Sequence, residues 1–192
     1  SVDACVTINT QSNVLSGTGS FNLNSGATLV TSHSNGVDGV ITFASAGNIF
    51  AAGSHYHFNG SIAQTTGSRM ATTVGSLFIN NPASVTLSKT GHTASNLYLM
   101  AGSFRCGING NLNIANGGTI NRSGGNQPNS ADAGTINFLG TVAVSGYSNG
   151  TPQLYSVILN GNTDFNGSGN TFSASIWSRL GVGCRPRDLP VP

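Results

Sequence analysis

The chain holds five aspartates and no glutamate, four histidines and three cysteines, and these are its stock of acids, bases, nucleophiles and metal ligands. Cleaving a polysaccharide takes grouped carboxylates, or a basic residue beside a calcium-binding acidic cluster. Asp38, Asp132 and Asp164 are instead dispersed through contexts such as Val-Asp-Gly and Ala-Asp-Ala-Gly, where aspartate is an ordinary turn former. No catalytic residue is expected, and the chain reads as a non-enzyme. His55-Tyr56-His57 comes nearest to a metal site, because alternation along a strand puts both imidazoles on one side while Tyr56 and Phe58 point inward. His33 and His92 fall in other loops and no third ligand is evident, so neither a metal nor a cofactor is expected. Cys5, Cys106 and Cys184 are too few for a disulfide scaffold and too widely spaced for a zinc or haem motif. Cys106 shares the inward parity of Phe104 and reads as a small buried residue.

The elements that carry these residues are announced by composition. Gly (27), Ser (25), Asn (23) and Thr (19) supply 94 of 192 residues, against 12 charged ones. A disordered chain would lack apolar residues, yet 38% are hydrophobic. Glutamate is absent and lysine occurs once, so the usual surface of a helical protein cannot be built. The net charge is +2, and Arg179, Arg185 and Arg187 lie near the end, leaving a nearly neutral body that argues against nucleic acid as a partner. No run approaches the 18 apolar residues of a transmembrane helix, so membrane insertion is not expected. The Ser-Val-Asp-Ala start is what a mature chain shows after a signal peptide has gone, which makes secretion the expected route.

Apolar-x-apolar triplets recur along the chain: Val6/Ile8, Phe21/Leu23, Ile41/Phe43, Tyr56/Phe58, Leu77/Ile79, Leu97/Leu99, Leu112/Ile114, Ile136/Phe138 and Val157/Leu159. Each alternates with period two, as a strand with one buried face does, and the triplets recur about every 20 residues. Asn-Gly pairs such as Asn35-Gly36 and Asn59-Gly60 mark corners that need positive φ. An up-and-down sandwich would space single strands every 8 to 12 residues. Units near 20 residues with two or three short strands predict an all-β, right-handed parallel β-helix of about nine coils over residues 1–176, with a tail or cap at 177–192. The longer gaps, near 31–39, 64–74, 88–95 and 121–134, are expected to protrude as loops.

The segments FNGSIAQTTG (58–67), VGSLFINNPASVTLS (74–88), LNIANGGTINRSGG (112–125) and GTINFLG (134–140) resemble the repetitive β-helix regions of large secreted and cell-surface proteins of Bacteroidetes. The resemblance covers roughly residues 5–170. It implies a surface-exposed, adhesin-like or stalk-like role and export by the type IX pathway, although no C-terminal sorting domain is visible.

In each first strand the residue between the two inward ones points out, and three neighbouring units place His57, Phe78 and Tyr98 there in a row, with His55 and Met100 beside them. Such a strip stacks on sugar rings, forms a protein interface, or lies under a folded-over loop. An uncapped β-helix also leaves strand edges at its ends that can stack head to tail. Cys5 of one copy would then meet Cys184 of the next; free thiols or a Cys106–Cys184 bridge are the alternatives. The expected function is a non-catalytic extracellular scaffold or adhesin that self-associates into a filament or meets a surface glycan or protein. A carbohydrate-binding module is the alternative.

Overall fold

The computed structural model describes residues 1–44, 47–107, 110–123, 135–140, 142–145, 157–159 and 163–165. Within them the chain is an all-β parallel solenoid. One stack of in-register strands runs through β1 (Thr7–Gln11), β3 (Thr28–Thr31), β5 (His55–Phe58), β7 (Thr73–Asn80), β9 (His92–Ala101), β11 (Asn111–Arg122), β13 (Val142–Ser145) and β15 (Thr163–Phe165). Ile8, Leu29, Tyr56, Leu77, Leu97, Ile120 and Val144 are successive register partners along it. A second stack begins with a bridge from Val2 to β2 (Asn22–Leu23), which pairs with β4 (Ile49–Phe50). Farther along, the same role falls to the N-terminal halves of β9 and β11, followed by β12 (Thr135–Phe138) and β14 (Val157–Leu159). The third stack holds a bridge between Leu15 and Ile41, then β6 (Gln64–Thr65), β8 (Val85–Thr86) and β10 (Phe104–Arg105). Every one of these pairings is parallel.

The fold class expected from the repeat is present, with somewhat fewer coils than nine. Apart from Val6, which is 48% exposed, the triplet residues are buried or partly buried where their side chains are described, yet they do not all lie on one face. Val6/Ile8 belongs to the first stack and Phe21/Leu23 to the second, so a step of 15 residues is a change of face within one coil rather than a new coil. The step from Leu97 to Leu112 is another, because β11 reaches the first stack only at Thr119–Arg122.

Burial explains the alternation. Leu23, Leu29, Phe58, Leu77, Ile79, Leu97, Leu99, Phe104, Leu112, Ile114 and Phe138 are fully buried in one continuous core. Two of the expected loops are in fact part of it. Residues 36–40 form a one-turn helix, α1 (Gly36–Val40), that buries Val37, Val40 and the following Ile41. Residues 64–74 contain β6 and bury Gln64, Thr66, Met70, Ala71 and Val74. Apolar side chains at 37, 40, 70 and 74 have no reason to stay in water, and the coil widens to take them in. In the third gap Ser88, Lys89 and Thr90 are exposed, and the chain then enters β9 at His92. Residues 124–134, the expected loop of the fourth gap, and the 177–192 tail lie outside the described residues.

One corner shows why glycine is needed. Gly102 has φ +66° and any side chain there would collide with the Asn81 carbonyl of the coil below. Among the described residues no helix is long and apolar enough to cross a membrane.

Candidate functional site

The outward strip is built by the register of the first stack. Val30 pairs with His57, His57 with Phe78, Phe78 with Tyr98, and Tyr98 with Asn121, one residue per coil. Phe78 and Tyr98 have ring centroids 4.7 Å apart and planes only 6° from parallel. Rings lying side by side in one plane could not approach so closely, so this is an offset stack in which each ring covers one face of the other. His57 follows at 5.7 Å from Phe78, tilted by 48°. All three side chains are half-buried. Met100 stands exposed beside them, at a break in register where Leu99 pairs with Ile79 and Ala101 with Asn80.

His55 and His57 share the outward side of β5, between the buried Ser54, Tyr56 and Phe58. His55 lies against the bare backbone of Gly75, where a Cβ would meet the imidazole. His55 Nδ1 and His57 Nε2 are buried and accept or donate no hydrogen bond. Burial holds the His57 imidazole below its ordinary pKa, which favours the neutral ring.

The remaining candidates are not brought together. Cys5 sits exposed with a free thiol in the turn before β1, at φ +63°. Cys184 lies outside the described residues, so the Cys5–Cys184 link has no geometry here. Cys106 is buried, as its parity predicts. The Asp38 carboxylate accepts from the Ser68 and Arg69 amides at 2.6 and 2.9 Å, tying α1 to the next coil. Partial burial pushes its pKa up, but these amides, the Ser68 hydroxyl and the Arg69 charge more than offset it and hold the carboxyl below its usual value. Asp132 is outside the described residues, and Asp164 lies in β15 opposite Ala143. Among the described residues no three His, Cys, Asp or Glu side chains converge.

Two buried polar groups escape a reading of the sequence alone. His92, expected in a loop, is the first residue of β9, paired with Leu112, and donates from Nδ1 to the Ala71 carbonyl at 2.8 Å. The His92-x-Ala94 alternation was the available signal. Gln64 points inward in the column of Val85 and Phe104. Its Oε1 accepts from Gly60 N and Asn81 Nδ2, both at 2.8 Å, and its Nε2 donates to the Thr31 and His33 carbonyls.

At the end of the first stack β1 pairs with β3 alone, so among the described residues its other edge faces no strand. Val6 and Val14 flank that edge about half exposed (48% and 51%), and Ile8 and Leu15 are partly buried against the core. No family model matches the chain, nor does any curated protein or solved structure.

Proposed function

We propose that the chain is a non-catalytic extracellular rod, structural or adhesive in role, that self-associates through its coil ends. The observation that carries this reading is the open edge of β1. A parallel strand whose outer edge meets no other strand is a template for one, and apolar side chains at its rim favour covering it. Val6, Ile8, Val14 and Leu15 flank that edge, apolar side chains that a further strand would cover.

Electron microscopy of the purified chain, with and without reductant, tests the proposal. Filaments are expected, shortened by reduction if Cys5 contributes a covalent link. Dispersed single rods under both conditions would overturn the filament.

A carbohydrate-binding role for His57, Phe78 and Tyr98 is the second reading, supported by three rings in line on an open sheet face. Sugars stack on ring faces, and the offset pair uses one face of Phe78 and one of Tyr98 internally. The other face of Tyr98 is turned toward Asn121 of the next coil. Glycan binding abolished by Tyr98→Ala, with the circular dichroism spectrum unchanged, would put this reading first.

A further inference from the structure

We infer that His55 and His57 form a two-imidazole chelate for a divalent transition-metal ion of the copper, nickel or zinc class, independent of the filament.

Both residues project from the same side of β5, two positions apart. In an extended strand that separates their Cα atoms by about 6.6 Å. Two imidazoles at that spacing can lean onto one ion held at about 2.0 Å from each nitrogen. The strand is pinned for the purpose: β3 and β7 bond it on both sides, and Tyr56 and Phe58 anchor it in the core. Rigid support of this kind spares an ion the cost of ordering its ligands.

The nitrogens decide the argument. Neither imidazole makes a hydrogen bond to the protein, and the buried nitrogens without partners are His55 Nδ1 and His57 Nε2. The opposite nitrogens, His55 Nε2 and His57 Nδ1, are therefore the ones that meet solvent, and nothing competes for their lone pairs. An ion at the outer nitrogens fixes each proton on the inner one and locks both tautomers.

The donor set selects the ion. Two neutral nitrogens without sulfur or carboxylate disfavour calcium and magnesium and suit the borderline metals, with copper(II) bound most tightly. Thr28 and Phe78, the register partners of His55 and His57, bring no further nitrogen or charge, so water completes the coordination. The missing acceptors behind the inner nitrogens make the site weaker than one with a built second shell.

The test is calorimetric titration of the whole chain with NiCl2 and CuCl2, together with His55→Gln, His57→Gln and the double variant, each checked by circular dichroism. The expected result is saturable one-to-one binding, weakened at least about tenfold by either single change, because a chelate loses its intramolecular second step with one ligand. No saturable binding would overturn the inference. So would single variants that bind as the parent does, or a double variant that still binds one ion tightly, since the site would then lie elsewhere.

Discussion

A tyrosine hydroxyl buried in a β core needs partners, and Tyr56 has two: Ser54 Oγ at 3.0 Å and the Ala71 amide at 3.3 Å. Tyr56→Phe keeps the ring and leaves the Ala71 amide without its acceptor, while Ser54 Oγ keeps its bond to the Ala51 carbonyl at 2.8 Å. It should lower stability by about 1–2 kcal/mol, read from urea unfolding. His92 makes a prediction in pH. Burial lowers its pKa below the free value of 6.5, outweighing the Ala71 hydrogen bond that raises it. The unfolded chain then binds the proton more readily than the folded one, so stability is full above pH 6.5 and declines as pH falls below it. His57 shifts in the same direction, whereas Asp38 acts only lower, as pH drops through its depressed carboxyl value. The urea midpoint should therefore be lower at pH 5.5 than at pH 7.5, and His92→Gln should shrink that difference. An unchanged midpoint in the parent chain would refute the assignment.

At the scale of elements, Gln64 shows how a coil tolerates an inward amide. All four of its hydrogen-bonding positions are filled, by groups from residues 31, 33, 60 and 81. Gln64→Met fills the same space but leaves Gly60 N without an acceptor, while the Thr31 and His33 carbonyls and Asn81 Nδ2 keep their other bonds, and a loss of about 1–2 kcal/mol is expected, measured by the same unfolding assay. Gly102→Ala should cost at least as much, since the Asn81 backbone must move. These elements also mark what could be read from the residues alone. Inward and outward positions were legible wherever apolar residues alternate, as at Tyr56, Leu77 and Leu97, because parity alone decides them. The face of the coil was not, since Phe21/Leu23 and Tyr56/Phe58 look alike in one dimension and only pairing separates them. Gln64 and His92 were missed for the opposite reason: their burial depends on partners 4 to 33 residues away, which no local pattern encodes. The row of His57, Phe78 and Tyr98 was legible because they occupy one position in coils of nearly equal length.

Across the whole molecule, each coil touches only its neighbours, so stability is a sum along the axis and the ends are its weak points. Hydrogen exchange should find β1 amides less protected than those of β7 and β9, which are bonded on both sides. In filaments the β1 amides should become protected while β7 and β9 change little. Protection of β1 without assembly would point to another partner.

The corner at α1 carries a last consequence. From Leu29 to Tyr56 the chain spends 27 residues on one circuit, and from Leu77 to Leu97 only 20, yet both pairs remain hydrogen-bonded neighbours in one column. The axial advance is set by backbone pairing alone, and surplus sequence is absorbed sideways. This molecule therefore gauges distance by circuits completed rather than by residues translated, and its mass per unit length varies along the axis. A foreign peptide spliced into that corner would thicken the shaft without lengthening it.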